Sequence, residues 1–344
     1  MIVRVLGAAA GGGLPQWNCG CPNCGSARGG DERVAPRTQS SVAVSADGRS
    51  WTLLNASPDI RQQIHAFPPL GPGRRLRGSG IRAVVLTDAE IDHSLGLLLM
   101  REAKRLVVYT TPAVREALTT GHPLLPTLGA YCEVEWRRIG VEPGREEARL
   151  DGLDFPCTAF DVPGDPPSYS RRPPTMGDVV GLELAASGGP GERGTVAGDG
   201  DEEGPDGAET LVYVPGTGAI DARLRARIAR SRVTLLDGTF WTNEEMSTVG
   251  QGGRTAADMH HLPVSGSGGS LERLSALHGV RRIYVHINNT NPVLMEGSSE
   301  RRAVEEAGFE VAYDGMEIRL GEHADVTEGR TPRRAAARVG RRAE

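Results

Sequence analysis

The residues most able to do chemistry sit at the ends of three separate apolar runs. The run Ala83 to Leu86 stops at Asp88, Glu90, Asp92 and His93. The run Arg232 to Leu236 ends at Asp237, and Arg281 to Val285 ends at His286. Carboxylates and imidazoles hold divalent cations through oxygen and nitrogen. Taken alone, the first cluster reads equally well as an acidic loop capping a helix, because carboxylates favour a helix N-terminus. A lone histidine after a strand is more often hydrogen-bonded than metal-bound. Three independent strand ends carrying Asp or His tip the balance to a metal site. His261, in the loop after Asp237, can reach the same place, whereas His260 beside it reads as structural or surface. His65, His122, His278 and His323 have no such context.

A second cluster is made of thiols. Cys19, Cys21 and Cys24 follow C-x-C-x-x-C spacing, which lets three thiolates point inward from one tight loop. Zinc prefers a tetrahedral set of Cys and His ligands. Free or redox-active thiols are the alternative, since no local His or Cys supplies a fourth ligand. Cys132 and Cys157 stand alone. In a reducing compartment such crowding indicates a metal site rather than disulfides. The nearby AAAGGG run lacks the spacing of phosphate-binding loops, so phosphate is a weak reading for it.

These residues need strands to position them. Residues 2–6 read as a first strand. Two apolar runs on either side of Asp47-Gly48 read as a hairpin. Residues 81–86, 105–111, 211–214, 232–236, 281–285 and 310–313 read as further strands, with 150–163 mixed and β-like. Segments 94–101, 112–118, 270–277 and 300–307 read as helical, Pro112 suiting a first helical turn. Strand and helix alternating predicts an α/β architecture. Residues 67–80, rich in Pro, Gly and Arg, read as a surface loop.

The chain of 344 residues, with formal net charge -5, is long enough for a substantial core and has no basic surplus that points to nucleic acid. No apolar stretch approaches the roughly 18 residues of a bilayer span, and the N-terminus lacks a secretory pattern, so a cytoplasmic location and no membrane partner are expected. A single domain over 1–321 is expected. The Gly-rich acidic segment 186–209 reads as a disordered insertion between two strands. Residues 322–344 read as a disordered basic tail, for which a nucleic-acid or membrane role is a weak alternative.

The layout resembles the metallo-β-lactamase fold, in which an HxHxDH motif follows a strand and later strands end in a bridging Asp and a final His. Here that motif reads Asp88-Ala-Glu90-Ile-Asp92-His93. Its two leading histidines are carboxylates and its Asp-His half is intact, with no histidine near 160–165. Within that superfamily, GGGLPQWNCGCPNC, RTQSS, LNASPDIR, DGTFW, HLPVSG, HINNTNP and YDGMEI resemble the coenzyme PQQ synthesis protein B family, in order from Gly11 to Ile318.

The resemblance implies an αββα sandwich and a role in building pyrroloquinoline quinone from a Glu and a Tyr of a precursor peptide. Hydrolases of the fold use two adjacent metals. One of those sites is dismantled here, and Asp92, His93 and His286 survive from the other. Two His and one carboxylate with open positions is the ligand set of non-haem Fe(II) oxygenases. The implied activity is iron- and O₂-dependent hydroxylation of the tyrosine ring, with Asp237 as added ligand or water anchor. His261, Asp88 and Glu90 would handle protons or fix ligands. Arg37 and Arg61 are candidate clamps for substrate carboxylates, or partners of a structural Asp such as Asp59. A structural zinc on the three cysteines is expected. Related hydrolases place a His fourth ligand where this chain has Asn289, so Asn289, another side chain or water completes that site. The alternatives are a carrier of PQQ or its precursor toward the periplasm, and a two-metal hydrolase. Other PQQ biosynthesis proteins are possible partners.

Overall fold

Apolar residues alternating along short strands decide the architecture. The computed structural model describes residues 1–186, 209–250 and 252–321, which form fourteen strands in two seven-stranded sheets. The first sheet contains β1 (Ile2–Gly7), β2 (Ser41–Ser45), β3 (Trp51–Leu54), β4 (Ile81–Val85), β5 (Arg105–Thr110) and β6 (Glu133–Arg138), in that spatial order. The second runs from β7 (Glu147–Leu150) through β8 (Cys157–Asp161), β9 (Val180–Ala185), β10 (Thr210–Val214), β11 (Val233–Asp237) and β12 (Arg281–Val285) to β13 (Phe309–Val311). The last strand, β14 (Glu317–Arg319), returns to the first sheet beside β1.

Val42 and Val44 of β2 point into the interior shared with Leu211 and Tyr213 of β10, while Ala43 points to the outer layer. Val212 and Val214 likewise face outward on the second sheet. Each sheet is thus apolar on both faces and must be covered on both. The outer faces are covered by short helices, which gives an αββα sandwich. The helix Ala222–Arg230 buries Leu224 and Ile228, and Asp221 caps it by accepting from Leu224 N at 2.7 Å. The helix Ser299–Glu306 buries Val304 and is capped in the same way by Ser298.

Strands β3 to β6 are mutually parallel, and so are β10 to β13. Their carboxyl ends lead into Asn55, the Asp88–His93 loop, Asp237 and His286, so the topology collects the chemistry at one rim. The 41–54 hairpin forms as its turn predicts: Asp47 Oδ1 accepts from Arg49 N and Ser50 N, and Gly48 takes φ +73°. The helix expected over 94–101 is shorter: one α-turn, Ile91–Ser94, gives way to a 3₁₀ segment, Leu95–Met100. Strand β6 was not expected. It is an edge strand that alternates Glu133, Glu135 and Arg137 with Val134 and Trp136, a charged pattern that protects an edge and hides the strand from an apolar search.

The expected insertion 186–209 is described only at Ala186 and Glu209, which join β9 to β10 by an N–H to carbonyl bond of 2.9 Å. The rest of it and the expected tail 322–344 lie outside the described residues. Among the described residues no helix is long and apolar enough to cross a membrane.

Candidate metal centre

Strand β4 runs into a turn that opens with Thr87. Asn55, in the left-handed region at φ +63°, accepts from Thr87 N and donates to Thr87 Oγ1, both at 2.9 Å. The turn is thereby pinned to the end of β3. Asp88 then accepts from Thr87 Oγ1 at 2.7 Å and from Glu90 N at 2.9 Å. Both its oxygens face His93 Nδ1, at 2.9 and 2.7 Å. Asp88 is therefore fully engaged in holding the imidazole.

The structure brings together one ligand atom from each of Asp92, His93 and His286, all within 4.8 Å of one another. His286 Nε2 lies 3.1 Å from Asp92 Oδ2, and the rings of His93 and His286 are 4.9 Å apart. His93 Nε2 is buried and has no hydrogen-bond partner among the described residues. A buried ring nitrogen without a partner is costly, and a cation facing it would remove that cost. The donor set of two imidazoles and one carboxylate therefore fits a divalent metal. Burial alone would depress the His93 pKa, but the Asp88 and Asp92 carboxylates outweigh it and hold it at about 9. Asp92 is held below the usual carboxylate range: burial opposes this, and His93 and His286 overcome it.

Asp237 belongs to a second triad, with His261 and His286, and not to the group with Asp92 and His93. Its Oδ1 accepts from Thr239 N at 3.0 Å and Thr239 Oγ1 at 2.6 Å. Its Oδ2 accepts from Thr217 N at 3.0 Å and faces His261 Nδ1 at 2.7 Å. His261 is thus oriented from behind by Asp237, with its ring stacked 5.4 Å from that of His286. Glu90 is exposed by surface area, yet the protein around it pushes its carboxyl up to about 7, first by desolvation and then through Asp88 and Asp92.

The two expected arginine clamps part company. Arg37 is 6 % exposed and donates to the carbonyls of Ala312 at 3.1 Å and Ala35 at 2.9 Å. Arg37 thus ties loop backbones together. Arg61 is exposed on the helix Ile60–Ala66 and forms no ion pair among the described residues, while Asp59 accepts from Gln39 instead. His260 meets Asp165 at 2.8 Å near the surface.

Thr239 was missed by sequence reasoning. Its hydroxyl lies 2.6 Å from Asp237 Oδ1 and 2.7 Å from His286 Nδ1, linking the two strand ends. The signal was there in the Asp-Gly-Thr turn, where a small hydroxyl two residues after a buried carboxylate is placed to bond back to it.

At the thiol cluster the Sγ atoms of Cys19, Cys21 and Cys24 lie within 4.8 Å of one another, all buried. The Asn289 side-chain amide faces all three, with Nδ2 at 3.2, 3.5 and 3.3 Å. Amide nitrogen and oxygen are nearly isosteric, so the same side chain turned over presents Oδ1 to a cation held by the thiolates.

Residues 50–287 match the beta-lactamase superfamily domain. Coenzyme PQQ synthesis protein B of Methylococcus capsulatus is 44% identical over 322 residues, covering 93% of this chain and 100% of that one. The crystal structure of Zn(2+)-bound PqqB from Methylobacterium extorquens superposes with a TM-score of 0.80 at 39% identity, over 93% of this chain and 100% of that one. A diphosphatase from the PhnP family shares the fold, with a TM-score of 0.62 at 17% identity, over 92% of this chain and 96% of that one. The chain belongs to the coenzyme PQQ synthesis protein B family, within the beta-lactamase superfamily.

Proposed function

We propose that the chain serves PQQ biosynthesis as an iron-dependent hydroxylase of the tyrosine ring of a Glu-Tyr precursor, with O₂ as oxidant. The observation that supports this reading is how the polar atoms of Asp88 and His286 are spent. Asp88 stands where the fold's hydrolases have the first histidine of their motif, and both its oxygens are taken up by His93. His286 has its Nδ1 against Thr239, leaving Nε2 for a single ion. The remaining set, Asp92, His93 and His286, matches the facial arrangement of two His and one carboxylate.

Fe(II) held there would supply O₂ activation toward the phenol ring. One oxygen atom enters the ring and the other leaves as water, with two electrons from an external reductant. The residues of the chain do the rest. Asp88 keeps His93 in the tautomer that presents Nε2. Asp237 holds Nδ1–H of His261, so that Nε2 can take or return a proton from the phenol. Glu90, with a proton affinity near neutrality, is a second site for proton traffic. Zinc on Cys19, Cys21 and Cys24 is proposed as structural.

The experiment is anaerobic loading of purified protein with Fe(II), then addition of a Glu-Tyr peptide, a reductant and O₂. Ring hydroxylation with matching O₂ uptake, absent from the Zn-loaded form, is the expected result. Two catalytic metals per chain beyond the thiolate zinc, with turnover that ignores O₂, would replace this reading with the hydrolase. Peptide or PQQ binding without turnover would replace it with the carrier.

A further inference from the structure

The thiol cluster and the histidine centre are joined by a continuous path of buried polar contacts. It starts at Asn23, which lies between Cys21 and Cys24 and is 4 % exposed. Asn23 Nδ2 donates to the Asn289 carbonyl at 3.0 Å and to the Asn291 carbonyl at 2.8 Å. Asn291 is fully buried, and its own Nδ2 donates to the carbonyls of Gly238 at 2.9 Å and Thr239 at 3.3 Å. The Asn288 N–H adds a 3.0 Å bond to the Thr239 carbonyl. Thr239 Oγ1 then reaches His286 Nδ1 and Asp237 Oδ1.

His286 needs this support. It sits at φ +54°, in the left-handed region that a residue with a Cβ adopts only when its surroundings impose it. Part of the restraint is direct, since Thr239 Oγ1 donates to the His286 carbonyl at 2.8 Å. The turn after it, 287–291, adds to it, because it is fastened on one side to the thiol loop and on the other to the Gly238–Thr239 turn. The N-terminal segment adds a second tie: Ile287 N donates to the Ala8 carbonyl at 3.0 Å, and Ala10 N to the Ile287 carbonyl at 2.9 Å. Beyond Ala10, a Cβ on Gly11 would stand 3.3 Å from Asp92 Oδ2. One stretch, residues 8–24, therefore carries the thiolates and also borders a carboxylate of the other centre.

We infer that Asn23 and Asn291 are positioning residues through which the thiol cluster sets the posture of His286, so that metal on the thiolates tightens metal binding at Asp92, His93 and His286. The inference rests on reading both clusters as metal sites, but not on the reaction. Coupling between two such sites is reciprocal and amounts to roughly 5- to 150-fold in affinity.

The test uses the full chain and Co(II), whose thiolate and nitrogen–oxygen centres have distinct absorption bands. Wild type should load two ions, one of each spectral kind. Asn23→Ala keeps every candidate ligand of both centres. It should retain the thiolate band while the nitrogen–oxygen centre binds about tenfold or more weakly. Retention of the thiolate band with unchanged affinity at the other centre overturns the coupling. If Asn23→Ala sheds the thiolate ion, Asn291→Asp decides. That variant keeps the Oδ1 that accepts from Val293 N and replaces the donor to Gly238 and Thr239 with an acceptor. The same loss of affinity supports the inference and its absence overturns it. A wild-type chain that loads only the thiolates would instead sink the reading of the second centre, a result distinct from either.

Discussion

His93 turns its Nδ1 to both oxygens of Asp88, at 2.9 and 2.7 Å, and leaves its Nε2 buried beside Asp92 and His286, unpartnered among the described residues. A carboxylate behind a ligating imidazole fixes its tautomer and raises its basicity, and losing one typically costs 10- to 100-fold in metal affinity or activity. Asp88→Asn is therefore expected to weaken Fe(II) binding by about that factor without abolishing it. His93→Ala should lose iron altogether. Anaerobic metal titration checks both. If Asp88→Asn instead removes a second, separate equivalent of catalytic metal, Asp88 is itself a ligand and the centre is dinuclear.

The thiol cluster predicts a linked loss of zinc and stability. A structural metal contributes its binding free energy to folding. Cys21→Ser should lose zinc and melt at lower temperature. Asn289→Ala should lower zinc affinity by less, since one neutral oxygen donor is lost and three thiolates remain. Zinc content and melting unchanged in Cys21→Ser would refute the site.

Much of this was legible in the sequence because strand ends are legible. The apolar runs before Asp237 and His286 belong to strands buried on both faces, so they read as continuous apolar stretches that stop abruptly at the site. What a side chain does with its second polar atom was not legible. Nothing in the order of residues says that Asp88 turns both oxygens to His93, or that Thr239 bridges Asp237 and His286. The buried setting of Arg37 was hidden for a related reason. Arginine is usually exposed, and only the fold shows the Ala35 and Ala312 carbonyls that draw this one inside. Strand β6 hid behind its charges, and Asn23 behind the cysteines on either side of it.

Arg61 carries a sharper expectation than before, because it has no acidic partner among the described residues. If it clamps a substrate carboxylate with two parallel N–H bonds, a lysine cannot reproduce the geometry. Arg61→Lys should raise KM for a Glu-Tyr peptide roughly tenfold, in line with a charge-assisted bond worth ~1.5 kcal/mol or more, and leave iron content alone. Unchanged KM and kcat in Arg61→Lys would end the assignment.

Asp314 accepts from Ala8 N, Thr38 N and Thr38 Oγ1 at 3.0, 2.7 and 2.8 Å. Its pKa is nonetheless pushed up to about 6, burial outweighing those donors and the nearby Arg37. The folded state then holds this proton more tightly than the unfolded chain, whose Asp titrates near ~4. The stability it contributes is fully present below about pH 4, falls as pH rises through about 6 and is flat above that. The melting temperature of Asp314→Asn minus that of wild type should therefore climb between pH 4.5 and 7, by on the order of a few degrees. A difference that falls over that window would mean the three donors dominate and the carboxylate is the favoured form.

His261 separates binding from chemistry. It stands beside the Asp92, His93 and His286 group but is not one of the three. Asp237 draws its proton affinity upward against the opposing effect of burial, so the ring holds a proton readily and can return it. On the proposed reading, an imidazole placed this way would act on a phenol proton and need not hold the metal. His261→Ala should keep one iron per chain with affinity near wild type, yet slow ring hydroxylation by on the order of a hundredfold. The pH profile of kcat should lose one limb in the same variant, which a residue that only shapes the pocket would not cause. Asp237→Asn should reproduce part of the loss, because an amide facing Nδ1 can select the opposite tautomer. Iron lost from His261→Ala would make His261 a ligand of the Asp237 triad, and undiminished turnover would remove it from the chemistry.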